Sequence, residues 1–367
     1  MGSIVPPKPA PELNIPAPSS TVDVSIIDST VRVTLPMSVM VKPTIGNHET
    51  VTCPCYCFLI QHPSGRTLVF ELAVRKGYEN LAPSIVSMLK GTATLEVEKD
   101  VATILKEINV LLESIEGIVW RRYHMDHIGN PATFPSSTVL IVGPGFKNRF
   151  PHAYPTVEKS PLTEDAWQGR ELCEISFAES SMKVGRFKAF DYFGDGSFYL
   201  LDTPGHLLGH MCGLARTTTD TYILMGGDAA HHAGEFRPTE YVPLPKQVSL
   251  VPNLPPFSHV CPGEVIANHL HPEKSATKPF YKAADGFQED DKLAEWSIEG
   301  LCEFDADERM FTVIAHDLSL IDVVEFYPKG ANDWYQKGWA KTGHWRFLAD
   351  YSGVLEAAKN ADKLWNE

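Results

Sequence analysis

The sequence predicts a layered α/β protein, in which short buried strands pack against amphipathic helices. The first third of the chain is made of short alternating runs rich in Val, Ile and Thr, which are typical of strands. One segment with helical periodicity follows it. The second half contains further short apolar runs, each of which ends near a Gly, Pro, Asp or His. Strands mixed with helices in this way favour one layered domain.

The first third is predicted to be mostly strand. Residues 22–41 alternate apolar and polar side chains, which is the period of a strand with one buried face. Residues 52–61 and 66–72 are two further β-rich runs, and His62-Pro63-Ser64-Gly65 separates them. Two such runs around a Pro/Gly turn predict a β-hairpin.

A helix is predicted after this region, because apolar residues recur at intervals of three and four. The residues of this stripe are Val101, Ile104, Leu105, Ile108, Leu111 and Leu112. We expect Gly117 to end the helix and residues 118–120 to form a short buried strand. Four more apolar runs predict strands in the second half, at residues 138–142, 198–201, 222–225 and 311–315.

The chain is predicted to have one main domain with additions at both ends. Residues 1–24 form a Pro-rich arm, which we expect to be extended. Residues 25–330 form the main domain, and the charged and aromatic stretch 273–308 is predicted to be a helical lid inserted into it. Residues 331–367 are predicted to be an aromatic, helical tail that packs on the domain.

The composition excludes several classes of function. Asp and Glu number 46 against 32 Lys and Arg, so the formal charge is −14, and no basic run offers a face for nucleic acid. No stretch approaches the roughly 20 apolar residues that span a bilayer. Seven cysteines in a chain without an export signal predict reduced thiols in the cytoplasm. We expect no nucleic-acid or membrane partner, and the oligomeric state stays open.

Six polar residues predict a metal site, because each lies at or shortly after the end of a strand-like run. They are His124, Asp126, His127, His206, Asp228 and His316. Imidazole and carboxylate groups are ligands for zinc, iron or manganese. Each residue alone has a simpler explanation; Asp228, for example, follows two glycines as a turn residue would. Four separate strand ends that all offer such groups favour the metal site.

These motifs, in this order, resemble the metallo-β-lactamase family, in particular its lactonase-like and fungal secondary-metabolism branch. The matching motifs are residues 124–127 (His-Met-Asp-His), 203–206 (Thr-Pro-Gly-His), 226–228 (Gly-Gly-Asp) and the late His316. The resemblance covers roughly residues 25–330 as the catalytic domain. It implies a four-layer αββα sandwich with the metal ions in a cleft along one edge.

The resemblance also implies two metal positions. The first takes His124 and His206, the second takes Asp126, His127 and His316, and Asp228 bridges the two. The family's first His, however, falls at Arg122 in this chain. A guanidinium stays protonated and cannot bind a metal, so the first position is incomplete, and one or two ions, zinc, iron or manganese, are expected.

Two further positions depart from the family pattern. Glu71 stands where the family usually has Asp, and Ala73 stands where it has Gly. His231 stands where related lactonases have a Tyr that contacts the substrate. We therefore consider His231 a candidate for stabilising the oxyanion or protonating the leaving group. A histidine pair with His232 on a polar loop is the alternative explanation.

The function implied by the resemblance is the metal-dependent hydrolysis of a small cyclic ester or amide, a lactone or a lactam. Asp126 and Asp228 would orient the attacking water and accept its proton. The acidic surface and the aromatic lid favour an uncharged, fairly apolar small molecule. Two alternatives remain: a thioesterase of the same fold, and a non-catalytic binding protein in which Arg122 marks a degraded metal site.

Overall fold

The computed structural model describes residues 2–46, 48–248, 261–351 and residue 354. The strands are, in chain order, β1 (Asp23–Pro36), β2 (Val41–Lys42), β3 (Thr50–Gln61), β4 (Thr67–Phe70), β5 (Thr94–Glu96), β6 (Gly117–Trp120), β7 (Val139–Val142), β8 (Leu172–Glu174), β9 (Lys183–Val184), β10 (Phe187–Asp191), β11 (Phe198–Asp202), β12 (Met211–Arg216), β13 (Tyr222–Gly227), β14 (Gln247–Val248), β15 (Cys261–Pro262), β16 (Lys282–Ala283) and β17 (Met310–Ile314).

The helices are mostly short. They are α1 (Pro83–Leu89), α2 (Val101–Glu107), α3 (Met125–Ile128), α4 (Phe146–Arg149), α5 (Gly263–Val265), α6 (Asp291–Asp305), α7 (Trp334–Lys337) and α8 (Trp339–Gly343). Residues Ile266–Leu270 continue α5 as a π-helix. Single 3₁₀ turns lie at Met37–Val39, Tyr78–Asn80, Leu112–Ser114, Pro131–Thr133, Glu164–Ala166, Ala233–Glu235 and Leu318–Leu320, and a longer 3₁₀ segment lies at Arg346–Tyr351.

Two mixed sheets form the centre of the molecule. The first has seven strands in the order β5-β1-β3-β4-β6-β7-β8, and the second has six in the order β17-β13-β12-β11-β10-β9. The predicted hairpin is present as the antiparallel pair β3–β4. Strands β4, β6, β7 and β8 run parallel, as do β13 and β17, so their carboxyl ends meet at the same edge of each sheet.

Side chains alternate between two apolar layers along the central strands. On β3, Tyr56, Phe58 and Ile60 enter the core between the sheets, whereas Cys57 and Leu59 face the helices outside. This is the period-two pattern of a strand that is buried on both faces. Strands β11 and β13 of the second sheet alternate in the same way.

Helices cover the outer face of each sheet. Val101 and Leu105 of α2 pack into the apolar layer outside the first sheet, and Leu301 and Phe304 of α6 pack outside the second. The result is the four-layer αββα sandwich that the resemblance implied, and this prediction is confirmed.

The predicted helix over residues 101–112 is wrong beyond Glu107. Asn109 adopts a φ of 62°, in the left-handed region, and this ends the helical path. Consequently Leu111 is 70% exposed instead of buried. Gly117, which was expected to end the helix, instead begins β6.

The segments outside the sheets pack against them. Residues 2–22 run along the body with one isolated bridge, and Leu13 is buried there. Trp334 and Trp339 of the predicted tail enter the core between the sheets. Residue 1 of the arm and residues 352–353 and 355–367 of the tail lie outside the described residues. Within the described parts of the chain, the helices are too short or too polar to cross a membrane.

Candidate metal centre

The six predicted residues lie together at one edge of the sandwich, where strands of both sheets end. Strand β6 leads into residues 124–127, and β11 leads to His206. Asp228 and His316 follow the parallel neighbours β13 and β17. Residues 125–128 form the one-turn helix α3, and His124 is its N-cap residue. This turn lets Asp126 and His127 face the same space.

Glycines are required in two of the motifs because other groups pack closely against them. Gly227 adopts a φ of 54°, and a Cβ at this position would overlap the guanidinium of Arg121. Gly205 adopts a φ of 118°, and a Cβ there would overlap the backbone of Ala294 at the start of α6. Ala73, at the position where the family has Gly, also adopts a positive φ of 55°, a conformation that glycine adopts more readily than alanine.

Four donor atoms surround one space that has the size of a metal ion. Nε2 of His127 lies 3.2 Å from Oδ2 of Asp126 and 3.3 Å from Oδ1 of Asp228. Nε2 of His316 lies 3.3 Å from each of the same two oxygens. A tetrahedral zinc site with bonds of about 2.0–2.1 Å has donor–donor distances of about 3.3–3.4 Å. These residues therefore fit a divalent metal ion.

The opposite ring nitrogens of the two histidines have partners that suit metal binding. Nδ1–H of His316 donates to the carbonyl oxygen of Pro54 at 2.8 Å, which leaves the lone pair of the neutral ring on Nε2. Nδ1 of His127 lies 3.0 Å from Oε1 of Glu71, which accepts its proton in the tautomer that leaves Nε2 free for a metal, and 2.8 Å from Nη2 of Arg121. Metal-binding histidines are usually oriented by such an acceptor.

The electrostatics of the cluster also attract a cation. Burial alone would raise the pKa of Asp228, but the charges of Arg122 and His127 outweigh burial and hold it well below its usual range. The same balance, with His127 as the largest opposing charge, keeps the pKa of Asp126 low. Although burial lowers the pKa of His316, Asp228 raises it well above its usual value, so without a metal ion a proton takes the place on Nε2 that a metal ion would use. Both carboxylates are therefore ionised and draw positive charge to this space.

The position that the resemblance assigns to a first metal ion contains the guanidinium of Arg122. Its Nη1 donates to Nδ1 of His124 at 2.5 Å and to Nε2 of His206. Its Nη2 pairs with Oδ2 of Asp228 and lies 3.3 Å from Oδ1 of Asp126. The residues present at this position therefore do not fit a second metal ion, because an arginine already occupies it.

Arg121 is a site residue that the sequence reasoning missed. Its fully buried side chain pairs with Glu71, and its Nη2 lies 2.5 Å from Oδ1 of Asp228. Its Nη1 lies 2.6 Å from Nε2 of His210. The sequence did contain a signal for this role: two arginines follow the buried strand β6 directly. A charged side chain that is buried at such a point needs partners of opposite charge.

His231 lies at the same centre, next to Asp228. Its Nε2 is 2.9 Å from Oδ2 of Asp228, and its ring packs 4.8 Å from that of His206 and 4.7 Å from that of Phe287. Burial lowers its pKa. Apart from this contact with Asp228, the ring nitrogens of His231 have no well-formed hydrogen bond among the described residues. A buried imidazole with an unused ring nitrogen is a group that a substrate can engage.

Comparison with known proteins identifies the family. The gamma-lactamase FDB1 of Fusarium pseudograminearum (strain CS3096) is 44% identical over 361 residues, which cover 94% of this chain and 86% of that protein. The metallo-hydrolase mfmC of Annulohypoxylon moriforme is 38% identical over 369 residues, which cover 98% and 96%. The chain belongs to the metallo-β-lactamase superfamily. It is a metal-dependent hydrolase of the lactonase- and lactamase-like branch, as predicted.

A solved structure supports the superfamily fold. A crystal structure of a B. thuringiensis AiiA mutant with N-decanoyl-L-homoserine bound at the active site aligns with a TM-score of 0.57 and 16% identity, and it covers 85% of this chain and 99% of that chain. This likeness concerns the fold alone. No protein-family model matches the sequence.

Residues 287–289 of the predicted lid pack against the candidate metal centre. Gln288 Oε1 accepts a hydrogen bond from Nδ1 of His206 at 2.5 Å. Glu289 accepts hydrogen bonds from the hydroxyl of Tyr123 at 2.8 Å and from the backbone N–H of Leu208 at 2.6 Å. Together with Phe287, these residues form one wall of the site. The rest of the predicted lid is mainly α6, which packs on the second sheet.

Glu235 fixes the loop that carries His231, and the sequence reasoning missed it. Its Oε2 accepts the backbone N–H groups of His231 at 2.5 Å and of His232 at 3.0 Å. Burial raises the pKa of Glu235 to about 7. The carboxyl group thus holds two successive peptide groups, and with them the direction in which the His231 side chain leaves the backbone.

A second cluster nearby, formed by His48, His232 and Asp350, is not a candidate metal site. Nδ1 of His232 accepts the backbone N–H of Gly234 at 2.9 Å. The proton of the neutral ring is therefore on Nε2, which lies 3.0 Å from Oδ2 of Asp350. A protonated nitrogen has no lone pair for a metal.

Proposed function

We propose that this hydrolase opens the ring of a small lactam or lactone at the centre formed by Asp126, His127, Asp228 and His316. The observation that carries the proposal is the spacing of the four donor atoms, at 3.2–3.3 Å across two histidines and two carboxylates. The similarity to a gamma-lactamase over nearly the whole chain favours the cyclic amide as the first substrate class to test.

The metal at this position is proposed to be a single zinc ion. Two imidazole and two carboxylate donors at this spacing suit zinc, whereas manganese and magnesium favour six ligands. When bound, a divalent ion supplies hydroxide near neutral pH and polarises a carbonyl group. Asp126 has the most exposed side chain of the four, at 15%, so substrate and water reach the centre from its side.

Three side chains are proposed to carry the proton transfers. Asp126 and Asp228 orient the attacking water and accept its proton. The hydroxyl group adds to the carbonyl carbon, and the bond between this carbon and the ring nitrogen or ring oxygen breaks. The proton that Asp228 accepts passes from its Oδ2 to Nε2 of His231, 2.9 Å away, and from there to the leaving atom, so a lactam yields an amino acid and a lactone yields a hydroxy acid.

The site is proposed to take an uncharged, fairly apolar substrate. The ring of Phe287, packed against His206 and His231, gives the substrate an apolar wall. The guanidinium groups of Arg121 and Arg122 are both paired with carboxylates, so within the described residues they leave no free charge for an anionic substrate.

A metal-replacement assay tests this function. Protein purified without chelator or nickel is stripped of metal, reloaded with zinc, manganese or iron, and incubated with panels of γ-lactams and γ-lactones. We expect ring opening that depends on the metal and is lost in His316→Ala but kept in His152→Ala, because His152 is a surface histidine with a side chain 67% exposed. Metal-loaded protein that opens neither class of ring would contradict the proposal.

The domain limits and the location also remain proposals. We assign the catalytic domain to residues 25–330, with residues 1–24 as an arm and 331–367 as a tail. We propose that the protein is located in the cytoplasm, because all seven cysteines are free thiols. Microscopy of the full chain with a fluorescent tag tests the location, and a signal confined to a membrane compartment would contradict it.

A further inference from the structure

We infer that the guanidinium of Arg122 permanently takes the place of one of the two metal ions of the fold family, the one assigned to His124 and His206, so that this centre binds one ion. The inference rests on the proposed function only in that it uses the same four-residue metal position. It concerns how many ions the centre binds, and it therefore holds or fails independently of the substrate.

The first argument is the fit of the guanidinium among the groups around it. Its two terminal nitrogens face four acceptors, which are His124 Nδ1, His206 Nε2, Asp126 Oδ1 and Asp228 Oδ2. Nη1 donates to the two histidines and Nη2 donates to Asp126, while the contact of Nη2 with Asp228 is an ion pair. The side chain is 2% exposed. A metal ion could enter this space only by displacing it.

The second argument is the orientation of His206. Its Nδ1–H donates to Oε1 of Gln288 at 2.5 Å, so the lone pair of the neutral ring is on Nε2. This is the state that a metal ligand needs, but the lone pair here accepts a hydrogen bond from Arg122. His206 is therefore oriented to bind a cation, and the cation that it contacts is the guanidinium of Arg122.

The third argument is the charge of the buried cluster. Arg121 and Arg122 face three carboxylates, those of Glu71, Asp126 and Asp228. With neutral histidines the cluster has one net negative charge, and one divalent ion reverses it to one positive charge. A second divalent ion would leave three uncompensated positive charges in a buried site. Uncompensated buried charge is strongly unfavourable.

The two carboxylates divide their oxygens between the two cations. Asp126 directs Oδ1 to Arg122 and Oδ2 to the metal position, and Asp228 directs Oδ2 to Arg122 and Oδ1 to the metal position. Arg122 therefore lies beside the metal position and positions both of its carboxylate ligands. We consider it a positioning residue, because its terminal nitrogens are engaged by the residues of the centre itself.

His231 offers the one competing arrangement among the described residues. His206, Asp228 and His231 could together hold an ion. Such an ion would use Nε2 of His206 and Oδ2 of Asp228, the same two atoms that Arg122 contacts. Arg122 and an ion at that point exclude each other, so the number of bound ions distinguishes the two arrangements.

The test is a titration of the metal-free protein with Co²⁺, followed by visible absorption and by elemental analysis after dialysis. We expect one bound ion per chain in the wild type even with excess metal, and one in Arg122→Lys, which keeps the charge. Arg122→His supplies the missing imidazole and removes a positive charge, so we expect it to bind two. In Arg122→His combined with His316→Ala, we expect the loss of one ion and the retention of the other.

Two results would overturn the inference. One is a wild type that binds two ions with similar affinity, which would mean that Arg122 moves aside. The other is an Arg122→His variant that is folded by circular dichroism and still binds one ion. If Arg122→His does not fold, the wild-type titration alone decides the question. Because no substrate is used, a protein that opens neither lactams nor lactones could still bind one ion, and the two failures are distinguishable.

Discussion

Asp228 pairs with Arg122 through Oδ2, while its Oδ1 lies 3.3 Å from Nε2 of His316. The carboxylate of Asp228 therefore lies between the guanidinium of Arg122 and the proposed position of the metal ion. The same Oδ1 also lies 2.5 Å from Nη2 of Arg121. Asp228 is thus both a proposed metal ligand and a counter-charge of two buried arginines.

Replacing Asp228 should for this reason affect stability as well as metal binding. Asp228→Asn removes the charge that both arginines face, and breaking a buried ion pair costs about 3–5 kcal/mol. Urea denaturation measures the loss. The control is Asp220→Asn, at an exposed turn, for which we expect a change of at most about 0.5 kcal/mol. Equal stabilities of the two variants would contradict the buried pairing.

Metal binding should stabilise the folded chain, and His316 should be needed for it. A ligand that binds only the folded state at about 100 times its Kd contributes about 2.7 kcal/mol. We therefore expect a chelator to lower the Tm of the wild type and to leave that of His316→Ala unchanged. Thermal unfolding with and without chelator measures this. If the chelator lowers both Tm values equally, the stabilising ion lies elsewhere.

Glu235 should act through the position of His231 rather than through its charge. Glu235→Gln keeps an oxygen that can accept both backbone N–H groups, whereas Glu235→Ala removes it. A displacement of about 1 Å can cost about 100-fold in rate. We expect a kcat loss of about that size in Glu235→Ala, with metal content unchanged, and a much smaller loss in Glu235→Gln. Equal losses in the two variants would show that the charge itself is needed.

Glu289 should hold the wall segment in place for the substrate. Glu289→Ala removes the acceptor for Tyr123 and Leu208, so Phe287 and Gln288 lose their anchor. Hydrogen bonds to a charged group contribute about 1.5–3 kcal/mol each, so we expect kcat/KM to fall by at least about tenfold. Steady-state kinetics measure the change. The matched control is Glu295→Ala, on the exposed face of α6, and a similar fall there would argue against the anchor.

Much of the fold was predictable because its patterns are local. Period-two alternation and the Pro/Gly turn depend on neighbouring residues, and the hairpin β3–β4 was found in this way. The end of α2 was not predictable from the apolar stripe, because the backbone turns at Asn109 while the spacing of apolar residues continues to Leu112. The stripe includes residues that the folded chain leaves in solvent.

The candidate site was predictable where its residues lie in motifs and unpredictable where they meet from distant segments. The six predicted residues follow the ends of strand-like runs, which are visible in the sequence. Gln288 reaches His206 across 82 residues, and no local signal marks this contact. Arg121 was visible in the sequence, but its role depends on its ion pair with Glu71, which directly follows the neighbouring strand β4.

Anomalous diffraction from crystals of the zinc-loaded wild type is the most direct test of a one-metal hydrolase centre. The account predicts a single strong peak at the edge of the zinc absorption, about 2.0–2.2 Å from Asp126 Oδ2, His127 Nε2, Asp228 Oδ1 and His316 Nε2. The Arg122 guanidinium should remain between His124 and His206. A zinc peak between these two histidines, or none among the four donors, would contradict it.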